Sequence, residues 1–163
     1  MRSDDEILGY ILRARQEKIE RHRIESERAA DELAHKKVFF QAARSVLTRL
    51  VLPTMERMVG LCARASLRAE IVDTGAFYLA GSVATDMMCR FQMPIVSRPE
   101  IEMPLAVSFK AVFPEGMAIY YSDVGRGQAD AKGAVDSVEL TDLHIAAIED
   151  HLLQVVANYL HES

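Results

Sequence analysis

Between Asp4 and Leu52 the chain carries one glycine, Gly9, and no proline; the first proline is Pro53. Ala, Leu, Glu, Lys and Arg dominate the run, and these side chains lose little freedom in a helix. The run therefore predicts one long helix over 4–52. The remaining residues, 53–163, are expected to form a compact domain attached to it.

Heptad lettering tests what the helix is for. With Leu12 at position a, the a series reads Leu12, Ile19, Ser26, Leu33, Phe40, Leu47, and only Ser26 is polar. The d series reads Leu8, Arg15, His22, Ala29, Lys36, Ala43, Leu50, and three of these seven are polar. This is a coiled-coil seam with a polar middle. Glu17 to Arg21 and Glu32 to Lys36 are glutamate-before-base pairs four residues apart, which support a helix locally. A lone helix of this kind buries too little to stay ordered unaided. The segment is therefore expected to serve homo-oligomerisation, with a dimer favoured. Folding back on its own domain is the other way to cover it.

Pro53 is expected to end or kink this helix, and Thr54 can cap the next one, over 54–69. There Met55, Met58, Val59, Cys62, Ala65 and Ala69 share a face. Arg57, Arg64 and Arg68 fall opposite, within about 40° of one another, a row able to contact an anion. The Arg64-x-x-x-Arg68 spacing opens the signature of the cyclic-dinucleotide receptors. Asp73-Thr74-Gly75 lacks the Asp/Asn-x-Ser-x-x-Gly that completes it, so membership is not assigned.

Near residue 70 the rhythm changes from helical spacing to alternation. Strands are expected over 76–83, 87–93, 105–113 and 117–121, with Pro114-Glu115-Gly116 as a hairpin loop and Pro94–Pro104 as an extended connection. Short spacing without intervening helices makes the sheet antiparallel. One face is apolar. The other would present Tyr78, Arg90, Gln92, Ser108, Lys110 and Tyr120, and Tyr78, Arg90, Lys110 and Tyr120 form a candidate platform for a small anionic ligand. Residues 123–137 are expected to be a loop. Gly125-x-Gly127 is no dinucleotide fingerprint, because Asp130 stands where its third glycine belongs.

A last helix, over 142–160, shows a wide apolar face of Ile145, Ile148, Leu152, Leu153, Val155, Val156, Tyr159 and Leu160, which implies deep burial. His144, His151 and Asn158 are placed on its polar side. Glu149 projects into the apolar face and needs a cationic partner or a raised pKa.

The fold class is thus α+β: a long N-terminal helical arm, a second helix, an antiparallel sheet of four to five strands and a buried C-terminal helix. No apolar run reaches the roughly 18 residues that span a bilayer, so no membrane partner is expected. Two cysteines, Cys62 and Cys89, imply no disulfide framework and a cytoplasmic setting. Residues 71–163 carry five basic against thirteen acidic side chains, which makes nucleic acid an unlikely partner. No metal, cofactor or nucleophile motif occurs, so neither catalytic residues nor cofactors are assigned. The function expected is a non-enzymatic interaction module that self-associates through its first helix and holds a protein partner. The alternative is a small-ligand or nucleotide sensor using the sheet face.

Overall fold

The computed structural model describes residues 1–79, 83, 86–94, 105–121 and 133–162. It is an α+β protein with the expected element order. Helix α1 spans Asp4–Val46, a π-helical turn Leu47–Val51, and helix α2 Leu52–Arg64. Strands β1 (Glu70–Asp73), β2 (Met88–Met93), β3 (Leu105–Val112), β4 (Gly116–Tyr121) and β5 (Asp136–Val138) precede helix α3 (Ile145–Glu162). The chain forms two compact units, Met1–Lys36 and Lys37–Ser163.

The first unit is helix from Asp4 onward. Ser3 starts it: its Oγ accepts the Glu6 N–H at 3.2 Å, while the Glu6 carboxylate accepts the Ser3 N–H at 3.2 Å. This reciprocal cap satisfies two donors that helix geometry leaves without partners. Further along, Arg23 bridges Glu20 and Glu27, and Lys36 pairs with Glu32 at 3.2 Å. The Arg23 guanidinium holds the Glu20 carboxyl below its ordinary value by hydrogen bond and charge together.

The second unit is built on a seam of helical residues. Phe40, Ala43, Leu47, Val51, Met55, Met58 and Cys62, three or four apart, are all buried. The seam crosses the π-turn without losing its face. Pro53, expected to end or kink the helix, does not end the helical run; a π-turn precedes it. The proline occupies the first turn of α2, and the widened turn before it, where the Leu52 N–H bonds the Leu47 carbonyl, makes room for a residue that cannot donate. Thr54 does not cap; its hydroxyl donates back to the Leu50 carbonyl at 2.7 Å. Helix α2 stops at Arg64, short of the expected 69, where Ser66 takes a positive φ of 60° and the Leu67 N–H turns back to the Cys62 carbonyl.

The five strands form one antiparallel meander in the order β1-β2-β3-β4-β5. Its rows include Ile71–Phe91–Val107–Tyr121 and Cys89–Phe109–Ile119–Asp136. Apart from Asp136 and the half-buried Ile71 and Tyr121, these side chains are buried, in one core with the helical seam and with Ile148, Leu152 and Val155 of α3.

Two strand expectations need correction. The segment expected as a strand from 76 begins instead as a 3-10 turn, Ala76–Tyr78. The Asp73 carboxylate accepts the Gly75 N–H at 2.9 Å and Gly75 takes φ 70°, which breaks the extended chain before Phe77. The first strand is therefore 70–73. Of the expected loop 123–137, residues 136 and 137 belong to strand β5; positions 123–132, with Gly125 and Gly127, lie outside the described residues. The connection Pro94–Pro104 lies outside them too, save Pro94. Among the described residues no helix is long and apolar enough to cross a membrane.

Candidate functional site

Alternation along β2, β3 and β4 puts every second residue on the sheet face away from the helical core. Arg90, Ser108 and Tyr120 are opposed in register and form one row across that face; Met88, Lys110 and Ala118 form the next. The expected residues are thus brought together, with one exception. Tyr78 stands on the 3-10 turn and not on the sheet; it is exposed and stacks at a tilt on Phe77, ring centroids 4.4 Å apart.

The face is not the open platform expected. Arg90 is 4% exposed, Lys110 0% and Tyr120 1%. Arg90 Nε donates to Ser108 Oγ at 3.0 Å, and the Lys110 ammonium lies 3.7 Å from Asp86. Two cations under cover require such partners, because desolvating a charge is expensive. Alternation reveals which residues share a face, not whether that face is wet.

The arginine row is also broken up. Arg57 reaches Glu149 across to α3 at 3.7 Å, which supplies the cationic partner the carboxylate needs. Arg64 ends α2, and Arg68, beyond the helix, pairs with Glu70 at 3.0 Å. Those pairs account for Arg57 and Arg68 as structural ties at the surface. The wide apolar face of α3 is buried only along Ile148, Leu152 and Val155; Ile145, Leu153 and Leu160 are exposed, as is Leu61 on α2.

His151 was placed on the polar side but lies three residues from Ile148 and four from Val155, so it meets the sheet. Its Nδ1 is 2.7 Å from the Tyr121 hydroxyl, and its ring stands edge-on to Phe109 at 6.0 Å. Burial pushes His151 below its ordinary value, against the opposing pull of Asp136 and Asp150, and pushes Tyr121 up. Burial therefore favours the neutral imidazole, and its hydrogen bond with the phenol ties β4 to α3. Both cysteines are buried; Cys89 lies 3.4 Å from the Met55 sulfur, and burial first, then the Asp73 charge, push its thiol up to about 12. Neither is a nucleophile at neutral pH. Among the described residues no group of three or more His, Cys, Asp or Glu could hold a metal.

A shallow polar groove of about 340 Å³ runs between the end of α1, with its π-turn, and the 3-10 turn, lined by Arg44, Ser45, Thr48, Arg49 and Tyr78. Arg44 already donates to the Leu79 carbonyl at 3.1 Å, and Thr48 donates to the Arg44 carbonyl at 2.8 Å.

Among the described residues, a row of uncovered apolar side chains lies in the first unit. Leu8, Ile11, Leu12, Ile19 and Leu33 fall within about a 100° arc of the helix, and each is 47–54% exposed. Arg15, His22 and Ser26 interrupt the same arc. No protein-family model matches the chain, and the searches of curated proteins and of solved structures return no match either.

Proposed function

We propose that this chain is a non-enzymatic interaction module, self-associating through α1 and holding a protein partner on its second unit. The observation that carries the reading is the bare stripe of Leu8, Ile11, Leu12, Ile19 and Leu33. Completing the burial of a half-exposed Leu or Ile contributes roughly 1 kcal/mol, so ten such side chains in a dimer contribute roughly 10 kcal/mol. Association itself costs about 4–15 kcal/mol. The two terms are of similar size, so pairing through this stripe is at most of modest affinity and its population follows concentration. For a partner, the exposed Leu61, Ile145, Leu153 and Leu160 on α2 and α3 offer apolar surface.

The sensor alternative needed an open sheet face. The burial of Arg90, Lys110 and Tyr120 weighs against it.

Sedimentation velocity over a wide concentration range tests the reading. The wild type is expected to move from monomer to dimer, and Leu12→Glu with Ile19→Glu to remain monomeric while the second unit unfolds at its usual temperature. A wild type that stays monomeric at every concentration overturns the self-association. A captured partner is expected to be lost with Leu153→Asp and kept with the α1 variants; the reverse pattern overturns the assignment of the partner surface.

A further inference from the structure

The stripe on α1 has an asymmetry that bears on direction. Its apolar members cluster toward the two ends, Leu8, Ile11 and Leu12 at one and Leu33 at the other, with Ile19 between. Its charged members, Arg15 and Lys36, are both basic, and Asp5 lies on the same seam one turn before Leu8.

In a parallel pair every seam residue meets its own copy. Arg15 would face Arg15, and Lys36, already paired with Glu32 of its own helix, would face Lys36. At the flanks, by the usual contact of a g position with the following e position, Lys18 would sit beside Arg23 of the other chain, while Glu32 would sit beside Lys37. Like charges held together on a seam being dried are destabilising.

An antiparallel pair removes each of these conflicts. The register that sets Leu8 opposite Leu33 also sets Leu12 opposite Ala29, Arg15 opposite Ser26, Ile19 opposite His22 and Asp5 opposite Lys36. Each pairing occurs twice by symmetry. At the flanks Lys18 then meets Glu25. Sliding by one heptad is worse either way, since it puts Leu8 on Ser26 or Leu12 on Lys36. Of these three registers, this one sets Leu8 on Leu33, Leu12 on Ala29, Arg15 on a hydroxyl and Lys36 on an acid, and leaves Ile19 opposite His22 as its one mismatch.

We infer that the occupant of the α1 stripe is the same stripe of a second copy, running antiparallel, with Leu8 of each chain against Leu33 of the other. The inference rests on the self-association proposed above and adds its direction and register.

Paired spin labels test it. Tyr10→Cys and Glu17→Cys each put a label on the outward side of α1, and the native Cys62 and Cys89 are buried, which confines labelling to the new site. Antiparallel pairing sets position 10 opposite 31 and position 17 opposite 24. The axial offsets between like labels are then about 31 Å and about 10 Å at 1.5 Å per residue. The expected result is a long distance at 10 and a much shorter one at 17. As a second measurement, Leu8→Cys mixed with Leu33→Cys is expected to give a disulfide-linked heterodimer on oxidation, and Leu8→Cys alone none. Equal short distances at 10 and 17, or a Leu8→Cys homodimer, would overturn the antiparallel register while leaving self-association standing. Absence of any interspin distance, in a protein that sediments as a monomer, would overturn both.

Discussion

One substitution, glycine to alanine, is expected to have opposite effects at two positions of the second unit. Gly60 sits on the exposed side of α2, and a Cβ built there meets nothing within 4 Å. Alanine restricts the unfolded chain and suits a helix interior, so Gly60→Ala is expected to stabilise by about 0.5–1 kcal/mol. Gly116 opens β4 with φ 124°, and a Cβ there would collide with the Val138 carbonyl and lie 2.9 Å from the Glu139 Cα. The obstacle is backbone, so no side-chain rotation relieves it. Holding a non-glycine residue at such a φ costs of order 1–3 kcal/mol. The collision must also push β5 away from β4, where Met117 pairs with Val138 and Ala118 with Ser137. A total loss of about 2–4 kcal/mol follows from strain and lost pairing together. Urea unfolding followed by tyrosine fluorescence suits the measurement, because the buried Tyr120 and half-buried Tyr121 report on the sheet. Midpoints should move in opposite directions with little change of slope. If Gly116→Ala unfolds within about 0.5 kcal/mol of wild type, the close β4–β5 approach is wrong. If both variants shift alike, the helix argument for Gly60 fails as well.

The remaining expectations concern titrating groups and the surface ion pair. Because burial lowers His151 in the folded state, its contribution is fully present above the unfolded value near 6.5 and is lost as pH falls toward the folded value. Thermal unfolding between pH 7 and 5 should therefore decline more steeply in wild type than in His151→Asn; equal slopes would show that the imidazole is not held neutral. With its thiol pushed up to about 12, Cys89 has about one thiolate in ten thousand at pH 8. A thiol-specific chromogenic reagent should find neither cysteine in the native protein and both after denaturation, and rapid native reaction would contradict the burial. Glu149→Gln is expected to change stability by less than about 1 kcal/mol, since the Arg57–Glu149 pair is partly exposed. Global unfolding of that variant, read by circular dichroism, would reveal a buried role for the carboxylate.

How much of this was legible depended on whether the signal was local. Spacing of three and four marks Phe40, Ala43 and Leu47 on one helix and Met55, Met58 and Cys62 on the next, but not that they join through Val51 into one seam of the core; spacing of two locates β2, β3 and β4 nearly to the residue. Phe77 and Leu79 imitate a strand, but the Asp73–Gly75 turn decides the conformation there, and a count of alternating residues does not register it. The reciprocal cap of Ser3 and Glu6 is encoded locally, as Ser-x-x-Glu, but the apolar period that marks the helix does not register it. His151 was readable too, from its spacing to Ile148 and Val155, but was assigned by polarity. The cover over Arg90, Ser108 and Lys110 was not legible at all, because it depends on tertiary contact that no period in the sequence encodes. The same limit applies to the α3 face: Leu153 and Leu160 look buried by composition and are exposed in the fold.

The locations of charge and of apolar surface argue together for where this chain meets others. On the sheet, the buried Arg90 and Lys110 are engaged, among others, by Ser108 and by the part-exposed Asp86, and desolvated charges of this kind are expensive to disturb. A ligand arriving there must first open that cover. On α1 the charges lie at the surface, where Arg23, Glu20, Glu27, Glu32 and Lys36 support the helix without closing over the aliphatic stripe. Approach of a second helix there displaces water from Leu8, Ile11, Leu12, Ile19 and Leu33, and from the Arg15, His22 and Ser26 that interrupt them. Local ion pairs of a few tenths of a kcal/mol each do not hold a 33-residue stretch in one conformation against chain entropy. Helicity of residues 4–36 should therefore rise with association, while the second unit, with its own core, remains folded whether or not the arm is paired.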